Sequence, residues 1–181
     1  MPQRAAVRRL LCRALECSGL PRQPAFRDAE VRVVLVGPRR IAALNRHFLG
    51  HSGPTDVIAF ALPCLAGLPP EAGPQCAGEL YVNPSAALAA APRHGHSAAT
   101  ELTLYLVHGL LHLAGHDDLV PAPRRRMRAA ERRVMARLSR EFDFDALWEF
   151  ERENEVVPFR KIGHEKAAKE LPHSKTVPTL Y

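Results

Sequence analysis

The feature that most constrains this chain of 181 residues is a pair of histidines inside an apolar stretch near its middle. Residues 102–113 are apolar apart from a threonine, a tyrosine, a glycine and the two histidines, which predicts a buried helix. His108 and His112 are four residues apart, so their imidazoles project from one face of that helix. Two neutral imidazole nitrogens in this arrangement can bind one metal ion. The alternative is a pair of buried structural histidines, which the polar turn after the helix disfavours.

That turn offers the third ligand of the predicted metal site. Gly115 is suited to end the helix in a left-handed conformation, and His116, Asp117 and Asp118 follow it. The spacing H-x3-H-x5-D resembles the extended zincin arrangement, in which three protein ligands leave one position open for water. We prefer Asp118 as the third ligand, with His116 as the competing choice.

The residue after the first histidine argues against peptide hydrolysis. Metalloproteases of the H-E-x-x-H kind carry a glutamate there as general base. This chain has Gly109, which can neither take nor give a proton. A peptide or amide hydrolase on the same metal frame is therefore an alternative that Gly109 opposes.

The same segment resembles the H-G-x-L-H-L-x-G-Y-D-H signature of the YbeY family, the bacterial rRNA maturation factors with single-strand endoribonuclease activity. His116 stands at the family's tyrosine, and Asp118 stands at its third histidine. A carboxylate oxygen binds zinc at a distance similar to that of an imidazole nitrogen, so Asp118 can act as the ligand. The positions that match as they stand are His108, Gly109, Leu111, His112, Leu113, Gly115 and Asp117.

The resemblance spans roughly residues 7–140, and three shorter segments support it. Residues 44–46 match the family's L-N-R, residues 55–60 are similar to its T-D-V-L-S-F, and residues 78–83 are similar to its G-D-I-V-I-S. In the loop between the first two, the family carries an arginine that is implicated in RNA cleavage. This chain has Leu49 and Gly50 there, so Arg46 and His51 are the candidates to replace that arginine.

Asp56 begins a predicted strand in the region that borders the family's metal cleft. One interpretation makes its carboxylate an acceptor that orients a histidine or the substrate. The other makes it a turn-closing residue that bonds its own backbone after Pro54. The sequence leaves both open.

Hydrophobic periodicity predicts an α/β (α+β) fold: a small mixed sheet of three to four strands with surrounding helices and the zincin-like metal helix at the centre. The predicted strands are residues 30–36, 55–60 and 78–83, and residues 63–76 are a predicted loop. The predicted helices are residues 3–17, 40–48, 86–91 (ended by Pro92), 97–113 and 121–140. We expect residues 1–141 to form the family's domain. Residues 142–181 are predicted to be a C-terminal extension, with a short helix over 142–157 and a flexible tail over 158–181.

The predicted helix 121–140 is rich in arginine, and it follows the metal turn directly. Eight arginines lie between Arg124 and Arg140, and the chain has a net charge of +6, which favours a polyanionic partner. Arg124 and Arg125, with Asp56 and Arg46, are the candidate substrate-binding residues; the alternative for the arginines is a solvated helix face. His94 and His96 are interpreted as solvated loop histidines rather than metal ligands.

The resemblance implies a zinc-dependent, single-strand-specific endoribonuclease that acts in 16S rRNA 3′-end maturation and ribosome quality control. One Zn²⁺ per chain would be bound by His108, His112 and Asp118, which act through metal-bound water. The implied partner is rRNA of the small ribosomal subunit, and the implied location is the cytoplasm. No apolar run approaches the length of a membrane span. The alternative is a non-catalytic rRNA-binding assembly factor with a structural zinc. The sequence identifies no general base, for which Asp117 and Glu79 are the candidates.

Overall fold

The structure is a computed structural model that describes residues 2–20, 30–62 and 76–150. Its helices are α1 (Pro2–Ser18), α2 (Pro38–Leu44), α3 (Pro84–His94), α4 (Ala98–Leu113), α5 (Pro121–Glu141) and α6 (Phe144–Leu147). Its strands are β1 (Glu30–Leu35), β2 (Val57–Ala61) and β3 (Cys76–Val82). Residues 63–75 of the predicted loop and the whole predicted tail, 158–181, lie outside the described residues.

The described strands form one mixed sheet, which confirms the predicted α/β (α+β) class. The strand order is β1-β3-β2, with β3 parallel to β1 and antiparallel to β2. Leu80 and Val82 of the central strand are completely buried. The sheet is therefore covered on the face where the helices pack.

Helix α4 is the centre of the domain, and two glycines allow it to lie close to the sheet. It packs against β2, β3, α1, α3, α5 and α6. A Cβ on Gly109 of α4 would lie 2.8 Å from Leu80 Cδ2, and a Cβ on Gly78 of β3 would lie 2.8 Å from Leu113 Cδ1. A side chain at either position would force these leucines to shift, because real Cβ atoms do not approach other atoms so closely. Gly109 thus has a packing role beyond the missing general base.

Helix α3 is longer than predicted, since it continues past Pro92 to His94. Proline lacks the N–H group that an interior helical position must donate. The helix nevertheless continues beyond Pro92, and the N–H groups of Gly95 and His96 both donate to Ala91 O at its end. Gly95, with φ of 72°, then ends the helix in the left-handed conformation. The prediction that Pro92 ends this helix was wrong.

A π-helical segment, Asn45–Leu49, follows α2 and ends at Gly50. The buried Asn45 donates from Nδ2 to Gly53 O at 2.9 Å, which fixes the loop that leads to β2. Leu49 is partly buried against an apolar cluster that contains Ile41 and Phe60. The predicted helix 40–48 is therefore a short α-helix and a π-helical turn.

The segment after α5 packs on the same core as the rest of the domain. In the described part of the predicted helix 142–157, the helical residues form a single turn, α6, whose N-terminus is capped by the Asp143 carboxylate. Residues 151–157 of that prediction lie outside the described residues. Phe144 is buried, and Trp148 Nε1 donates to Thr103 Oγ1 of α4 at 3.0 Å. None of the helices in the described ranges has the length and apolar character that crossing a bilayer requires.

Candidate metal centre

The end of α4 reverses the chain and brings Asp118 back towards the histidines. Gly115 has φ of 88°, and its N–H donates to His112 O at 2.9 Å. The His116 N–H donates to Leu111 O at 3.0 Å. These two bonds form a Schellman motif, the helix ending that a glycine at this position favours.

Three side chains converge at this turn. His108 Nε2 lies 2.9 Å from His112 Nε2, and the Asp118 carboxylate oxygens lie 3.9 Å and 3.8 Å from these two nitrogens. The side chains of His108, His112 and Asp118 are 25%, 9% and 38% exposed, so Asp118 is the most accessible side chain of the cluster and His112 is the most buried. His116, the competing third ligand, directs its backbone carbonyl rather than its ring at the cluster.

Hydrogen bonds to the opposite ring nitrogens set the orientation of both imidazoles. His108 Nδ1 donates to Glu131 Oε1 of α5 at 2.6 Å, and His112 Nδ1 donates to His116 O at 3.0 Å. Each neutral ring then carries its proton on Nδ1 and its lone pair on Nε2. The two Nε2 lone pairs face each other at 2.9 Å, an arrangement that only a proton or a cation between them makes favourable.

The distances fit a zinc ion. Zn–N and Zn–O bonds of about 2.0–2.2 Å in tetrahedral geometry place ligand atoms roughly 3.3–3.5 Å from each other. The observed separations of 2.9, 3.8 and 3.9 Å lie on both sides of that value. Two imidazoles and one carboxylate also form the ligand set of known three-ligand zinc sites. An open cavity of about 310 Å³ adjoins the cluster and is lined by His108, Asp118, Arg124, Met127, Arg128 and Glu131.

The two imidazoles differ in their affinity for protons. Burial disfavours the charged form of His108, but the hydrogen bond and the charge of Glu131, with the charges of Asp118 and Asp56, outweigh it and raise the pKa of this ring. Burial and the neighbouring charge of His108 lower the pKa of His112. A metal ion entering the cluster would therefore compete with a proton chiefly at His108.

The candidate substrate-binding residues lie at different distances from the cavity. Arg124 lines it and donates from Nε to Asp118 O at 2.7 Å, so this arginine also fixes the turn. Arg125 is exposed on α5 and does not line this cavity. Arg46 is exposed on the π-helical segment. Asp56 Oδ1 accepts bonds from its neighbours, the Thr55 hydroxyl and the Val57 N–H, both at 2.8 Å, as the turn-closing interpretation expects.

The two candidate general bases, Asp117 and Glu79, form hydrogen bonds or ion pairs with residues other than the three proposed ligands. Asp117 Oδ1 accepts the Leu119 N–H at 2.9 Å. Glu79 forms an ion pair with Arg32 and accepts the Tyr81 hydroxyl at 2.8 Å. Burial and this hydrogen bond raise the pKa of Tyr81 to about 12.

Sequence reasoning missed Glu131 as a partner of His108. The two residues are 23 positions apart, so no local pattern in the sequence connects them. A usable signal was its place beside the buried stripe of α5, one residue after Ala130 and three before Val134. Because a carboxylate on that side of the helix points inwards, it needs a polar partner.

The structure also differs from the interpretation of His94 and His96 as solvated loop histidines. Both imidazoles contact the carboxylate of Glu101, which is 1% exposed. No pattern in the sequence indicated this contact. The two rings reach α4 through the left-handed turn at Gly95, which lies beyond the proline that was expected to end α3.

Known proteins resemble this chain over most of its described part. A family model described as "Endoribonuclease YbeY" matches residues 3–139. A relative from Anaeromyxobacter with that name is 41% identical over 129 residues, which are 71% of this chain and 62% of the relative. A relative from Salinispora tropica with the same name is 39% identical over 119 residues, 60% of this chain and 73% of the relative.

The chain thus spans about three fifths of the first relative's length. Among solved structures, the solution structure of TM1509 from Thermotoga maritima is 28% identical. The match covers 74% of this chain and 83% of the TM1509 chain, with a TM-score of 0.47.

Proposed function

Because this chain belongs to the YbeY family, we propose that it is a zinc-dependent, single-strand-specific endoribonuclease whose site is the cluster of His108, His112 and Asp118. Its proposed substrate is the 3′ region of 16S rRNA in the small ribosomal subunit, its proposed role includes ribosome quality control, and its proposed location is the cytoplasm. The observation that carries the proposal is the approach of two Nε2 atoms to 2.9 Å beside a carboxylate at the edge of an open cavity.

His108, His112 and Asp118 would hold one Zn²⁺ per chain. When bound, the ion would supply a Lewis acid for a phosphate oxygen and lower the pKa of water. Glu131 would keep the proton of His108 on Nδ1, and the His116 carbonyl would do the same for His112. Both rings are then oriented before a metal arrives, which reduces the free-energy cost of binding.

The arginines of α5 would position the RNA backbone. Arg124 and Arg128 line the cavity beside His108, where their planar guanidinium groups can donate two hydrogen bonds to one phosphate. Arg125 lies outside the cavity lining, so it would add only to the longer-range attraction of the substrate. Arg46, exposed on the π-helical segment, and Asp56, which directly precedes β2, would be further substrate contacts.

A second candidate function is a non-catalytic rRNA-binding assembly factor with a structural zinc. The observation that favours it is Leu49, which stands where the resemblance implies an arginine and packs against the apolar cluster of Ile41, Ile58 and Phe60. A hydrolase of peptides or amides is disfavoured, because Gly109 supplies no general base and lies against Leu80 and Val57 of the sheet.

One experiment separates these functions. Purified protein is analysed for zinc and incubated with a single-stranded RNA that carries the 16S rRNA 3′ region, alongside the His112→Ala variant and a His47→Gln control in the exposed part of the π-helical segment. Endoribonuclease function predicts zinc-dependent cleavage by the wild type and the control, and none by His112→Ala. RNA binding without cleavage would favour the assembly factor and contradict the proposed enzyme.

A further inference from the structure

A second group of ligand-type side chains lies at the other end of α4. His94 is the last residue of α3, His96 precedes the N-cap Ser97, and Glu101 lies in the first turn of α4. His94 Nδ1 lies 3.1 Å from both carboxylate oxygens of Glu101, and His96 Nε2 lies 3.1 Å from Oε2. The two histidines thus approach one carboxylate from outside, with side chains 54% and 30% exposed.

The carboxylate of Glu101 is fixed before any ligand binds. The side chain is 2% exposed, and burial together with the nearby Glu101 carboxylate raises the pKa of Tyr105, one helical turn later. A buried carboxylate without compensating positive charge or hydrogen bonds is costly. Both imidazoles are therefore drawn to this group, and its geometry is set by α4 rather than by the loop.

His96 approaches Glu101 through its Nε2 atom. This atom lies 3.1 Å from Glu101 Oε2, whereas Nδ1 lies 3.4 Å from the Ser97 carbonyl, at the long limit of a hydrogen bond. A neutral ring with its proton on Nε2 can donate to Glu101 in the absence of metal. When a metal ion displaces that proton, the Nε2 lone pair faces the same point as the carboxylate oxygen, as a ligand pair requires.

We propose that His94, His96 and Glu101 bind a second divalent transition-metal ion of the zinc class. One nitrogen from each ring and one carboxylate oxygen lie within 4.8 Å of one another. The 3.1 Å separations are close to the roughly 3.3–3.5 Å between ligands of a tetrahedral zinc. Imidazole with carboxylate suits this ion class better than the hard ions, which prefer oxygen ligands alone. An adjoining cavity of about 390 Å³, lined in part by His96, Thr100 and Leu104, leaves room for a water ligand.

This second site is separate from the first. Glu101 and His108 are seven residues apart on α4, which corresponds to roughly 10 Å along the helix axis. The metal ions of two-metal catalytic sites are about 3.5–4 Å apart, so the two clusters hold independent ions. A metal at the second site would tie the end of α3 to the start of α4. The inference does not depend on the proposed cleavage of RNA.

Metal content tests the assignment directly. Full-length protein is stripped of metal, loaded with Zn²⁺ in small excess, desalted, and analysed for zinc per folded chain. We expect two ions in the wild type and in His47→Gln, one in the double variant His94→Gln/His96→Gln, one in His112→Ala, and none in the combined triple variant. Circular dichroism verifies that each variant is folded. One ion in the wild type, or two in the double variant, would overturn the proposal.

Thermal unfolding of His112→Ala isolates the second site. Adding micromolar Zn²⁺ should raise the Tm of this variant in a saturable manner, since a ligand that binds only the folded state stabilises it. The rise should disappear when His94→Gln and His96→Gln are added. A folded His112→Ala protein whose Tm does not respond, or responds only at millimolar Zn²⁺, would show that the histidines pair with Glu101 as protonated rings and hold no metal.

Discussion

The two clusters on α4 use the same side-chain types in opposite arrangements. At the C-terminal end, the helix carries the two histidines and the loop supplies Asp118. At the N-terminal end, the helix carries Glu101 and the preceding residues supply His94 and His96. Helix α4 therefore positions different ligands in the two clusters: two nitrogen ligands at its C-terminal end and one carboxylate at its N-terminal end.

The second difference concerns what orients each imidazole. In the C-terminal cluster, Glu131 and the His116 carbonyl hold the Nδ1 atoms and leave both Nε2 atoms directed at one point. In the N-terminal cluster, the His94 ring is held by Glu101, which is itself a ligand candidate. Prior orientation lowers the entropic cost of binding, so we expect the C-terminal cluster to bind zinc more tightly.

The largest expected effect distinguishes the two clusters by RNA cleavage. His112→Ala should reduce zinc-dependent cleavage to the background of the assay, because it removes a ligand of the catalytic ion. His94→Gln should leave cleavage close to the wild-type rate, because its cluster lies about 10 Å from the first along α4. Rates measured on the same single-stranded RNA, at equal zinc loading, check this contrast. Equal losses in both variants would mean that the two clusters form one functional unit.

The next effect concerns the orientation of His108. Glu131→Gln should weaken zinc binding at the C-terminal cluster by about 10–100-fold, the usual cost of losing the acceptor behind a ligating histidine. Competition with a chromophoric chelator measures the affinity. Glu141→Gln is the matched control on the same helix, since Glu141 pairs with Arg13 rather than with a histidine. An unchanged affinity in Glu131→Gln would show that the 2.6 Å contact does not orient the metal site.

A smaller effect follows from the raised pKa of His108. The zinc ion must displace a proton there, so the apparent zinc affinity should fall as the pH drops through a value above the ordinary 6.5. In the metal-free protein, the contribution of His108 to folding stability should instead fall as the pH rises. Its contribution to stability is fully present below pH 6.5 and is lost as the pH rises through the raised pKa.

Glu131→Gln sharpens this test, because it removes the largest contribution that raises the pKa of His108. The pH at which zinc affinity begins to fall should move to a lower value in this variant. Titrations with Zn²⁺ between pH 5.5 and 8 measure the shift. An onset that stays in place would exclude His108 as the competing proton site.

The smallest effect concerns the arginines between and beside the clusters. Arg128 lines both cavities, whereas Arg125 lines neither. Replacing Arg128 with glutamine should reduce the slope of log binding constant against log salt by about 1, as expected for one lost phosphate contact. Arg125→Gln should change the slope less. RNA-binding titrations at several salt concentrations check the difference, and equal slopes would assign both arginines to the general charge of α5.

The sequence predicted what depends on local pattern. The apolar run around His108 and His112 specified a buried helix, the spacing of the two histidines placed them on one face, and Gly115 marked the turn. The mixed sheet followed from three short apolar segments. These features rest on periodicity and on backbone preference, which neighbouring residues determine. The ligand role of Asp118 stays a prediction.

The sequence could not predict which distant residues meet. Periodicity indicates which face of a helix is buried, but not which partner lies opposite, so the contact of Glu131 with His108 was missed. The contacts of His94 and His96 were missed because they require α3 to continue past Pro92. Such details depend on the packing of α3, α4 and α5 in three dimensions.

Because of the hydrogen bond between Trp148 and Thr103, the intrinsic fluorescence of Trp148 reports on α4 without an added label. Trp148 is the only tryptophan in the chain, and its indole is anchored to α4 between the two clusters, nearer to Glu101 than to His108. Its fluorescence therefore reports the state of one helix rather than an average over many fluorophores. Separation of the indole from the hydroxyl should shift its emission to the red, so a fluorimeter can follow detachment of the C-terminal segment during denaturation.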